Sequence, residues 1–234
     1  MYNAGSQMTN PNPRKLIIAI DGPAGAGKST IASRLARKLG YVNLESGAMY
    51  RALALKAIDK DASFDDEAAL VRLAQESRIH LEPTMGGNRT LLDGRDVSTR
   101  IRERDVTEAA SRVSVHPEVR AWMVARQREL GTGGGIVMEG RDIGTVVFPA
   151  ADVKVYLDAA PEERARRRAE DPAHSGGPAA VAEVATLLTE RDEQDRTRKA
   201  SPLYAAQDAV VIDTTGKSVQ DVVREVMEIV RAKA

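Results

Sequence analysis

The chain has 234 residues, 42% hydrophobic and 29% charged, the profile of one large folded domain. With 34 Lys and Arg against 34 Asp and Glu the net charge is zero, so any anion site has to be built locally, and no general attraction to nucleic acid or anionic membrane is expected. No cysteine is present, which excludes disulfides, thiolate metal ligation and a cysteine nucleophile, and three scattered histidines argue against a histidine metal cage; with no apolar run near the roughly 18 residues of a membrane span, the expected compartment is the cytoplasm.

Residues 1–14 are polar, rich in Asn and Pro and without periodicity, which predicts a flexible leader before a domain at 15–234. From Leu16 onward short apolar runs alternate with amphipathic stretches, the pattern of an α/β domain. Parallel strands are expected at Leu16–Ile20, Val42–Leu44, Ile136–Met138, Val153–Leu157 and Ala209–Ile212. Helical periodicity is clearest at Lys28–Leu39, Gly47–Ile58, Pro117–Leu130, Val181–Arg198 and Val219–Ala232. Between the second strand and the third, Arg78–Val97 carries strand-like pieces separated by Gly-Gly-Asn and Asp-Gly turns, which predicts a small antiparallel insert within about 61–113. Asp171–Pro178, with two prolines and two glycines after an Arg-rich helix, reads as a mobile loop inside a lid at about 162–180.

The strongest signal is Gly22–Thr30, GPAGAGKST, which fits G-x-x-x-x-G-K-[ST] between an aliphatic strand and an amphipathic helix. Gly22, Pro23, Ala24, Gly25, Ala26 and Gly27 form a curled backbone whose N–H groups, with the helix N-terminus behind them, suit phosphates. Lys28 is expected at the β- and γ-phosphates, and the hydroxyl of Ser29, followed by Thr30, at Mg2+. The loop indicates a nucleoside triphosphate, but it does not separate kinases from GTPases, transport ATPases or helicases.

Further residues narrow the class. The chain has no guanine-reading N/TKxD element and no LSGGQ-like signature. Its third core strand ends in Glu139-Gly140-Arg141-Asp142, two carboxylates around a guanidinium, suited to an anionic second substrate. Arg164, Arg167 and Arg168 share one helix face, as do Arg191, Asp195 and Arg198. Phosphoryl transfer needs several cations around the moving group, and these clusters can supply them. On residues alone the acceptor stays open between a nucleotide and another small metabolite such as shikimate, and a noncatalytic nucleotide-dependent module stays open beside both.

Together with the loop, LESGAMYR (44–51), EGRDIGTVVFP (139–149), VYLDA (155–159) and ERDEQDRTRKASPL (190–203) resemble the bacterial cytidylate kinases, in order from about residue 15 to 232. The resemblance implies a three-layer P-loop fold with a five-stranded parallel sheet, a small insert on the monophosphate side and a mobile lid. It also implies Mg2+-dependent transfer of the γ-phosphoryl of ATP to CMP or dCMP by a monomer. By position it implies that Ser46 and Arg51 hold the acceptor near its phosphate, that Arg141 and Arg198 bridge phosphates, that Ser111, Arg120 and Asp142 contact cytosine, and that Arg191 and Asp195 contact the ribose. Arg164 and Arg168 are expected at ATP. Two departures stand out: Glu139 where the family often has Asp, and the Pro/Gly-rich segment 169–181 where its lids are more helical.

Overall fold

The computed structural model describes residues 15–84, 87–170 and 181–233; the leader expected at 1–14 and the loop expected at Asp171–Pro178 lie outside them. In chain order the elements are β1 (Ile17–Asp21), α1 (Lys28–Leu39), β2 (Val42–Glu45), α2 (Ser46–Asp59), α3 (Glu67–Glu76), β3 (Ile79–Thr84), β4 (Gly87–Leu92), β5 (Arg95–Asp96), α4 (Arg104–Val113), α5 (Pro117–Gly131), β6 (Ile136–Glu139), β7 (Val153–Asp158), α6 (Pro161–Ala169), α7 (Val181–Thr197), β8 (Val210–Asp213) and α8 (Val219–Arg231). A 3-10 turn at Arg100–Arg102 precedes α4, and a π-helical turn at Ile143–Val147 follows β6.

Five strands make one parallel sheet in the order β2-β6-β1-β7-β8. Its central strands are continuous hydrophobic runs because helices cover both faces. Ile18 lies opposite Val137 and Val153 in neighbouring strands, and it is fully buried, as are Ala19 and Ile20. Ile18 and Ile20 pack into a cluster with Ile31 and Leu35 of α1 and Val222, Val226 and Val230 of α8. Ala19 and Met138 face the opposite way, into a larger cluster with Leu53, Leu70, Val106 and Met123 of the helices α2 to α5. Each fully buried aliphatic side chain contributes about 1.5–3 kcal/mol, so the sheet is pinned between two separate cores.

Helix starts follow local chemistry. Ser218 caps α8 by accepting from the Asp221 N–H at 3.2 Å, and Asp66 caps α3 by accepting from Ala69 N–H at 2.9 Å. The insert holds β3, β4 and β5 as an antiparallel meander, as the turn residues predict. It also holds α3 and α4, two ten-residue helices absent from the sequence expectation. Through β3 and β4 the meander lies against the edge strand β2. Asn88 bridges the two by donating to Asn43 O at 2.8 Å and accepting from Glu45 N–H at 3.2 Å.

Candidate active site

The carboxyl ends of the parallel strands open into a cleft of about 1160 Å3, room for more than one small ligand. Gly25 to Ser29 line one part of it; Ser46, Tyr50, Arg51, Arg120, Glu139, Arg141, Asp142, Arg191, Asp195 and Arg198 line the other. The sheet order produces this meeting. β6, which ends at Glu139, lies between β1 and β2, so the loop after β1 and the start of α2 face each other across the end of β6.

The phosphate loop is fixed sterically. Gly22 has φ 144°, and a Cβ there would sit 2.0 Å from the Leu157 carbonyl oxygen; at Gly25, φ 79°, a Cβ would meet Arg164 O at 2.8 Å. Only glycine lets β7 and α6 approach the loop this closely. Lys28 is buried and donates to Pro23 O at 2.7 Å, folding across its own loop. Burial, with Arg141 adding repulsion and Glu139 partly opposing it, brings its ammonium down to about 7.

Ser29 donates to Glu139 Oε1 at 2.8 Å. Burial and the neighbouring Glu45 push the Glu139 carboxyl up, against the pull of Lys28. A hydroxyl and a carboxylate at the phosphate end of the cleft are hard oxygen ligands. No group of three or more His, Cys, Asp or Glu suited to a metal occurs among the described residues. That sparse donor set fits Mg2+, which takes one or two protein oxygens and completes its shell with phosphates and water.

On the other side, Ser46 donates to Glu139 O at 2.8 Å, and Glu45 accepts from Arg51 and, at 3.1 Å, from Arg102 Nη2. The two guanidiniums hold Glu45 below the usual carboxylate range despite burial. Asp195 accepts from Arg141 Nε at 2.9 Å and Arg198 Nη1 at 3.0 Å, so one carboxylate aims two arginines. Arg191 is brought down to about 10 by burial and by Arg141. Asp142 and Arg120 form a buried ion pair, and the Arg120 guanidinium lies 5.5 Å over the Tyr50 ring. Tyr50 OH, Arg51 Nε, Arg120 Nε and Arg198 Nη2 are buried without a partner, polar atoms suited to an incoming ligand.

Most sequence-expected site residues meet here, with Thr30 and Arg168 also lining the cleft. Two do not. Arg164 is buried in an ion pair with Asp192 and donates to Ala24 O at 3.1 Å and Ala159 O at 3.1 Å, behind the loop. Ser111 turns along its own helix toward Thr107 O at 3.5 Å, while its neighbours Ala110 and Ser114 line the cleft. Conversely, Glu45, Tyr50 and Arg102 belong to the site without having been expected there. Glu45 and Tyr50 lie inside the quoted 44–51 segment, but nothing in the spacing marks Arg102.

The family model described as cytidylate kinase matches residues 18–232. A cytidylate kinase of Geobacillus kaustophilus is 49% identical over 220 residues, covering 94% of this chain and 98% of that relative. One of Pelotomaculum thermopropionicum is 49% identical over 216 residues, covering 92% and 96%. Among solved structures, a shikimate kinase of Bacteroides thetaiotaomicron superposes with TM-score 0.50 at 12% identity, covering 92% of this chain and 98% of that one, a likeness of fold.

Proposed function

The chain belongs to the cytidylate kinase family and is an ATP-dependent nucleoside monophosphate kinase that phosphorylates CMP or dCMP, and on that basis we propose how its residues divide the work. Gly22–Thr30 cradles the ATP phosphates, with Lys28 on the β- and γ-groups. Arg168 serves the donor. Ser46 and Arg51 hold the CMP phosphate, Arg141 and Arg198 bridge the two phosphates, Arg191 and Asp195 take the ribose, and Arg120 with Asp142 reads cytosine. Arg164, bonded to the loop carbonyl of Ala24, supports the donor site from behind. The insert at about 61–113 is the acceptor-side unit, and the lid at about 162–180 is represented in the described residues by α6 and the residue after it.

The acceptor oxygen is already ionised at neutral pH, so no strong general base is required. Catalysis rests on in-line placement and on cations that meet the charge of the transferring group. Ser29 and Glu139 would hold Mg2+, which supplies neutralisation of phosphate charge when bound. The protein works as a cytoplasmic monomer on small molecules, without nucleic acid or membrane; no helix among the described residues is long and apolar enough to cross a membrane.

The observation that carries this division is the Asp195 carboxylate holding Arg141 and Arg198 opposite the phosphate loop in the same cleft. A coupled ADP-release assay across CMP, dCMP, UMP, AMP and shikimate tests it, with Arg51→Ala as the variant. CMP and dCMP are the expected acceptors, and Arg51→Ala is expected to raise KM for CMP while leaving KM for ATP within about twofold. Equal losses for both substrates would sink the assignment of sides.

A further inference from the structure

We propose that Asp21, at the end of β1, is a positioning residue for acceptor recognition: it caps the π-helical turn after β6 so that Asp142 is left facing the cleft. The inference rests on the assignment of Arg141 and Asp142 to the acceptor and adds a residue that acts through them.

The first N–H groups of any helical turn lack partners within it, and an aspartate at the cap position ordinarily takes one. Asp142 occupies that position before Ile143–Val147, yet its side chain makes no capping bond and pairs with Arg120 instead. The orphan donors are met from 122 residues away in sequence: Ile143 N–H donates to Asp21 Oδ1 at 2.8 Å, and Gly144 N–H to Asp21 Oδ2 at 2.7 Å. Asp21 is 5% exposed and Ile143 and Gly144 are buried, so water is a poor substitute for the carboxylate. The turn then closes on itself from Asp142 O, which accepts from Val146 N–H at 2.9 Å and Val147 N–H at 3.1 Å.

Two aspartates thus share what one usually does. Were Asp142 to cap its own turn, it would leave Arg120 without its ion-pair partner and turn away from the acceptor. Asp21 is held by β1, whose neighbouring strands are β6 and β7, so the pitch of Gly140–Gly144, and with it Arg141 and Asp142, is referred to the rigid centre of the sheet. Space is tight on the other side of the seam as well: a Cβ on Gly144 would lie 3.2 Å from Lys154 Cδ and 3.4 Å from Asp21 Oδ2.

The test is Asp21→Asn in steady-state kinetics with CMP, UMP and ATP varied separately, beside Asp142→Ala. An amide keeps the shape but offers a donor to one of the two N–H groups, so the turn shifts. The expected result is KM for CMP raised about tenfold, KM for ATP changed by less than about twofold, and a narrowed CMP/UMP ratio of kcat/KM. Gly144→Ala, which pushes on the same turn from outside, is expected to act in the same direction and decides the matter if the first variant does not fold. Unchanged KM for CMP in both, or a rise for ATP as large as that for CMP, overturns the proposal. If Asp142→Ala leaves the CMP/UMP ratio unchanged while Asp21→Asn still raises KM for CMP, the base-reading assignment falls and the positioning role stands through Arg141.

Discussion

Asp142 and Arg120 are both buried, and each retains capacity for a ligand: the carboxylate can accept further bonds, and Arg120 Nε has no partner. Cytosine presents an N4 amino donor beside an N3 acceptor, whereas uracil presents an acceptor beside an N–H. A carboxylate can only accept and a guanidinium can only donate, so this pair suits cytosine and opposes uracil at both positions. Mismatched buried polar groups cost roughly 1–3 kcal/mol each. Asp142→Ala is therefore expected to lower kcat/KM for CMP far more than for UMP, narrowing their ratio by about tenfold or more. If Asp142 served only to orient Arg120 as a structural partner, both acceptors would slow equally and the ratio in that assay would stay put. Ser111 illustrates the limit of reading roles from position. Its hydroxyl bonds along its own helix, and the resemblance alone, with nothing in its spacing, placed it at the base.

Helices α6 and α7 are joined at their buried faces by Arg164 and Asp192, and Arg164 also holds the Ala24 carbonyl. The helix that carries Arg191, Asp195 and Arg198 is in this way tied to the glycine-rich loop after β1. Arg164→Ala would strand Asp192 as an uncompensated buried charge, at a cost of about 3–5 kcal/mol. Urea unfolding is expected to show that loss, with a raised KM for ATP at temperatures where the variant is folded; a surface-like loss below about 1 kcal/mol would mean that the pair is not a strut. The same elements show what was legible beforehand. The parallel strands and the loop helix could be read because a buried strand is a continuous apolar run and the phosphate loop has a fixed spacing. The sequence reading places no helix at α4, although Val106, Ala109, Ala110 and Val113 fall on one face. In α3 only Leu70 and Ala74 are buried, so its helical signal is faint. Arg164 shares a face with Arg168 by spacing, but spacing cannot tell that a carboxylate 28 residues on will claim it.

For the molecule as a whole, Asp21 carries a stability cost that its proposed role would explain. Burial, reinforced by the like charge of Asp142 and opposed by the Gly144 and Ile143 N–H groups, raises its carboxyl from 3.8 to about 6. The folded protein thus binds the proton more tightly than the unfolded chain does. This favourable contribution is fully present below about pH 4 and is lost as pH rises through about 6. The stability of the native chain relative to Asp21→Asn is expected to fall by about 2–3 kcal/mol between pH 4 and pH 7, and denaturant midpoints across that range measure it. A flat difference would place the Asp21 titration elsewhere. The sheet order has a consequence for biogenesis. β1 and β2 are made early and are never neighbours; the strand that joins them, β6, leaves the ribosome about ninety residues after β2. A nascent chain that already displays the whole phosphate loop therefore still lacks the strand on which its central sheet closes, and during that interval its apolar strands have no completed sheet in which to be buried.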